Sequence, residues 1–96
     1  MDIQPRYTKI AKTIQTMYGL VVLEEPNGFP RNETNLYCIT PNGKLVWSAE
    51  KPEARTLYSR VRLTEDGTTL STYTIGGHAC DLEPGTGKIL SQASIQ

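Results

Sequence analysis

Long apolar runs are missing from this sequence. The longest is the four residues Leu20 to Leu23, far below the ~20 residues of a membrane-spanning helix. The opening MDIQPRYTK has no apolar stretch of the kind a secretion signal carries, so the expected location is cytoplasmic, with no membrane partner. Cysteine is scarce: Cys38 and Cys80 alone are too few for a disulfide scaffold and are expected as thiols. Histidine is scarcer, with only His78, and without a Cys-x-x-Cys or His-x-x-x-His spacing no metal site is expected. Net charge is absent. The 10 basic and 10 acidic residues divide 5 against 4 through Ser48 and 5 against 6 beyond it, so neither half carries a field suited to nucleic acid. With 38% hydrophobic residues in 96, the chain sustains one core, which places residues 1–96 in a single domain.

Between Pro5 and Gly19 there is neither glycine nor proline, and Tyr7, Ile10, Ala11, Ile14, Met17 and Tyr18 fall on one stripe at a period of 3.6. Pro5 suits an early helical position and Gly19 the residue just past the end. This spacing predicts a helix over 5–18, despite the poor helix formers Thr8, Thr13 and Thr16. After Gly19 the texture becomes that of a β-meander, with short apolar runs rich in threonine and aromatics, and turn residues every eight to twelve positions. Leu20 to Glu25 is the first expected strand. Asn35 to Thr40 and Lys44 to Glu50 flank Asn42-Gly43, read as a type I′ turn, which sets Cys38 opposite Trp47. Leu57 to Leu63 and Thr68 to Ile75 flank Asp66-Gly67, which pairs Leu63 with Leu70 and Arg60 with Tyr73. His78 to Leu82 and Lys88 to Gln92 close over Pro84-Gly85-Thr86-Gly87. The expected fold is α+β: an N-terminal amphipathic helix packed on a twisted antiparallel sheet of about seven strands over 20–92.

The segment CITPNGKLVWSAE from Cys38 is echoed by CDLEPGTGKILSQAS from Cys80, 42 positions later. These hairpins resemble the outer hairpin of a blade in WD-type and quinoprotein-type β-propellers, and YSRVRLTEDGTTLSTYTIGGHACDLEPGTGKIL is similar to one whole four-stranded blade. The resemblance covers residues 35–92 and implies stacking of blades around a channel, with at least four in a closed ring. One chain holds at most two, so either homo-oligomers complete a ring around a small ligand, or a lone curved sheet has its concave face filled by the N-terminal helix, the arrangement expected here. The resemblance brings no cofactor, because none of that family's binding residues can be matched.

Catalytic constellations do not emerge. His78 precedes Cys80 by two, about 7 Å along a strand, and such neighbours rarely point at each other; Asp81 faces the opposite side. PGTGK at 84–88 echoes a phosphate loop but has Leu82 and Ile89 where Gly and Ser or Thr are required. The candidate binding residues are Arg60 and Arg62, alternating on one strand face with Tyr58 and Tyr73 nearby, a mixture that grips carboxylates and recurs at protein interfaces. Phe29, held between Gly28 and Pro30 in the loop EPNGFPRNE, is the second candidate. The functional expectation is a non-catalytic protein-interaction module, such as a small inhibitor or immunity-type binder. A homo-oligomeric propeller-like binder of a small ligand and a His78/Cys80 enzyme are the alternatives.

Overall fold

In the computed structural model, which describes residues 4–95, the chain is a set of eight strands. Strands β1 (Ile10–Thr16), β2 (Gly19–Glu24), β3 (Leu36–Ile39) and β4 (Leu45–Ser48) form one antiparallel sheet in that order. Strands β5 (Tyr58–Leu63), β6 (Leu70–Thr74), β7 (His78–Leu82) and β8 (Ile89–Ser94) form the second. The described residues contain no helix, and hence none long and apolar enough to cross a membrane.

The α+β expectation is therefore overturned: the heart of the helix expected over 5–18 is β1, and the single sheet of about seven strands expected over 20–92 is instead divided between two four-stranded sheets. Two physical reasons decide it. First, Val21 to Glu24 of β2 are buried on both faces, so the backbone of β2 needs a strand on each side, and a helix lying on the sheet cannot satisfy its free edge. Second, the pairing of β1 with β2 slips at Ala11: Ile10 lies opposite Glu24 and Lys12 opposite Leu23. That one-residue bulge turns Ile10 and Ile14 to opposite faces, where each packs on a different apolar cluster. The four-residue spacing imitates a helical stripe while the threonines and isoleucines favour extended chain. Met17 and Tyr18, expected on the buried stripe, form the exposed turn of the β1–β2 hairpin.

The sheets pack face to face over one core. Val21, Leu23, Leu36, Cys38 and Trp47 of the first sheet meet Tyr58, Val61, Leu70, Cys80 and Leu82 of the second. Two polar clamps reinforce it. The Asn35 amide donates to the carbonyls of Glu24 (2.8 Å) and Tyr58 (2.7 Å), and its oxygen accepts from the Tyr58 backbone N–H at 2.8 Å. At the other end, the Trp47 indole N–H donates to the Pro84 carbonyl at 2.9 Å.

Cys38 lies opposite Trp47 as expected, although the Asn42-Gly43 turn differs from the expected type. Among the described residues only glycines have positive φ, which excludes type I′. Thr40 closes on Lys44 at 2.8 Å across a three-residue loop, and a bulge between Cys38 and Ile39 restores the register. Arg60 opposite Tyr73 and Leu63 opposite Leu70 also hold.

The N-terminal segment is tied down by one carboxylate. Glu24, fully buried, accepts backbone N–H groups from Arg6 (2.7 Å), Tyr7 (3.0 Å) and Thr8 (3.0 Å), and the Tyr37 hydroxyl. Burial acts to raise its pKa, but the hydrogen bonds outweigh burial and hold it below the ordinary carboxylate value. A depressed folded-state value contributes stability that is present above the unfolded value of roughly 4.3 and is lost as pH falls through the folded one. Thermal unfolding followed from pH 7 to pH 2 is expected to show a loss beginning below about pH 5. Glu24→Gln is expected to flatten that loss and to cost about 2 kcal/mol at neutral pH; equal acid sensitivity of wild type and variant would refute the assignment.

Candidate functional site

Among the described residues strand β5 is an edge, paired with β6 alone. A bulge between Tyr58 and Arg60 divides it. In an unbroken strand Tyr58, Arg60 and Arg62 would share a face; the extra residue, Ser59, turns Tyr58 to the other side. Tyr58 is accordingly buried in the core, its hydroxyl donating to the Glu50 carbonyl, and it takes no part in a surface patch. Burial, followed by the charges of its neighbours, pushes its pKa above the ordinary tyrosine value.

Arg60 and Arg62 remain exposed on the outer face of the second sheet. The registers place them at the heads of two cross-strand rows. Arg60 stands opposite Tyr73, followed by Ala79 and Ala93; Arg62 stands opposite Ser71, followed by Asp81 and Ser91. Tyr73 is 45% exposed, so its ring is open to contact beside Arg60. Asp81 is two strands from Arg62, about 10 Å at ordinary strand spacing, and accepts a hydrogen bond from Ser91 at 3.1 Å.

Along this edge runs a groove of about 490 Å³. Its lining comprises β5 from Ser59 to Arg62, Ser71 and Tyr73 on one side, and Ala11, Lys12 and Leu23 on the other. Among these residues are three cations and no carboxylate. The lining thus offers an anionic group Lys12, Arg60 and Arg62, and an arginine can hold a carboxylate through two parallel hydrogen bonds. Lys12 escaped the sequence reading because a helix would turn it to water, away from the sheet; as a strand residue it sits opposite Leu23 at the groove. The signal that could have found it is the run of β-branched residues around it.

Phe29, the other candidate, is folded inward and 4% exposed. Its ring packs edge-on against Tyr7, with centroids 5.1 Å apart at 78°, and its N–H closes a turn onto the Pro26 carbonyl at 3.1 Å. It holds the 26–34 loop to the body and presents nothing. His78 and Cys80 share a strand, but Cys80 is 1% exposed and packed in the core. Burial, then the charge of Asp81, raises its thiol pKa despite an opposing hydrogen bond from Thr72, which leaves it a poor nucleophile. The His78 ring lies 3.4 Å from the Thr74 hydroxyl. Among the described residues no group of three His, Cys, Asp or Glu side chains is placed to hold a metal ion.

No family model matches the chain, and no curated protein or solved structure matches it.

Proposed function

We propose that the protein is a non-catalytic, cytoplasmic protein-interaction module of the inhibitor or immunity type, whose contact face is the cationic groove beside β5. The observation that carries this reading is the convergence of Lys12, Arg60 and Arg62 with the exposed Tyr73 around one groove free of carboxylates. Arginine and tyrosine are the residues that dominate binding energy at protein interfaces. The partner offers acidic side chains. The buried setting of Cys80 counts against the alternative of a His78/Cys80 enzyme.

A fluorescently labelled polyglutamate chain serves as a surrogate for such a partner. Arg60→Ala with Arg62→Ala is expected to weaken its binding about tenfold at low salt, through loss of two charge-assisted contacts. Lys44→Ala with Lys88→Ala removes the same charge from two hairpin ends and is expected to change binding less than about threefold. Equal losses in the two double variants reduce the effect to net charge and defeat the proposal. Tighter binding of single-stranded DNA than of polyglutamate defeats the protein-partner assignment.

A second reading is supported by a different observation. Because residues 10–16 are a strand, each half of the chain is a four-stranded up-and-down meander, the unit that the blade resemblance implies. Two such units do not close a ring, so this reading requires copies of the chain around a shared axis. Light scattering separates the two: a particle of 10.7 kDa removes the ring, and a particle of two or three chains favours it.

A further inference from the structure

The free edge of β5 has a readable hydrogen-bonding phase. Thr64 donates its N–H to the Thr69 carbonyl at 2.9 Å, and in the same register Arg62 faces Ser71 and Arg60 faces Tyr73. In an antiparallel pair, bonded and non-bonded residues alternate. Arg60 and Arg62 therefore spend their backbone groups on β6, whereas Val61 and Leu63 turn N–H and C=O toward the open edge. Of these, Val61 lines the groove, where β1 and β2 pack close to β5 without hydrogen-bonding to it, so that β5 has no second strand partner among the described residues.

Resting on the reading of the groove as the contact face, we infer that it receives an extended acidic peptide segment, which adds to β5 as a fifth strand of the second sheet. The alternation of the edge specifies the occupant. Residues of the added strand that bond to Val61 or Leu63 turn their side chains toward Leu23 and the inter-sheet seam, which favours apolar types. Residues opposite Arg60 and Arg62 turn theirs to the outer face, beside the guanidinium groups, which favours Asp or Glu. The recognised pattern is acidic, apolar, acidic. A second copy of β5 is a poor occupant: antiparallel pairing about Val61 sets Arg60 against Arg62 in both directions, and like charges directly opposite repel. The arginines admit an acidic strand and refuse their own kind.

The test is a blocked, labelled heptapeptide of alternating Glu and Val, in three forms. Methylation of the valine backbone nitrogens removes the donors that face β5 and is expected to weaken binding at least about tenfold. Methylation of the glutamate nitrogens, which face away, is expected to change it by less than about threefold. A peptide of the same composition with its glutamates in one block is expected to bind about tenfold more weakly than the alternating form. With the unmodified peptide bound, amide exchange at Val61 and Leu63 is expected to slow at least about tenfold. Indifference to the site of methylation, or unchanged exchange at Val61 and Leu63 in the bound state, overturns strand addition. If polyglutamate binding then still depends on Arg60 and Arg62, the groove reading stands without it. If neither polyglutamate nor the alternating peptide binds, the groove reading falls as well, and the arginines serve only to keep the edge unpaired.

Discussion

Gly87→Ala is expected to lower the unfolding temperature by about 15 to 25 °C, which corresponds to a loss of about 3 to 4 kcal/mol in a domain of this size. Gly87 follows the β7–β8 turn with φ of +74°, and a Cβ there would lie 2.7 Å from Cδ2 and 2.9 Å from Cζ3 of Trp47. The indole cannot retreat. It is 7% exposed, sits in the core between the sheets, and is held by its hydrogen bond to Pro84 at 2.9 Å. The neighbouring chain is fastened as well, since Glu50 donates its N–H to the Gly87 carbonyl at 2.9 Å and its carboxylate accepts the Ile89 N–H at 2.9 Å. Gly43 provides the control, because its φ of +83° is similar but no atom of the described residues lies within 4 Å of its added Cβ. Gly43→Ala thus carries only the backbone strain, about 1 kcal/mol. Thermal unfolding followed by the tryptophan signal compares the two, and a Gly87→Ala loss no larger than that of Gly43→Ala would show that the Trp47 contact is not what holds this end together.

Asn35→Ala is expected to cost about 3 to 5 kcal/mol, because it deletes three buried hydrogen bonds and leaves an N–H and two carbonyls without partners. Asn35 acts as a piece of backbone supplied by a side chain: its amide pairs with both the N–H and the C=O of Tyr58, as a strand neighbour would, while also reaching the Glu24 carbonyl. It thereby joins the end of β2 to the start of β5. Asn35→Asp keeps the oxygen that receives the Tyr58 N–H but turns the two donors into an acceptor facing two carbonyls, and a loss at least as large as that of alanine is expected at neutral pH. Asn32→Ala, three residues earlier and exposed, is expected to stay within about 0.5 kcal/mol of wild type. Urea unfolding with all three variants distinguishes a clamp from a passenger: an Asn35→Ala midpoint near that of Asn32→Ala would remove Asn35 from the inter-sheet connection.

These two residues were of unequal visibility. Gly87 was legible as a turn residue in Pro84-Gly85-Thr86-Gly87, and that loop is observed between Glu83 and Lys88, which close on each other at 2.9 Å. Its intolerance of a Cβ was not legible, because Trp47 arrives from the other sheet, 40 positions away. Asn35 was read only as the start of a strand. The site divides the same way. Arg60, Arg62 and Tyr73 come together because an Asp-Gly hairpin sets their register. Tyr58 leaves them because one bulged residue reverses its face, and bulges leave little mark in composition. Phe29, expected as a binding residue of its loop, is instead folded inward and covered by Tyr7. Lys12 joined the groove only once β1 was a strand.

Local order therefore settled the hairpins: glycines at turns, short apolar runs between them, and the pairing that follows from loop length are properties of adjacent residues. Tertiary contact decided the state of residues 10–16, the side of the sheet on which each edge residue lies, and the meeting of Lys12 with the two arginines. The physical reason is that a short segment with mixed periodicity gains too little from its own backbone to choose a conformation. The unpaired edge of β2, buried on both faces, supplied the hydrogen bonds and apolar contacts that made the choice.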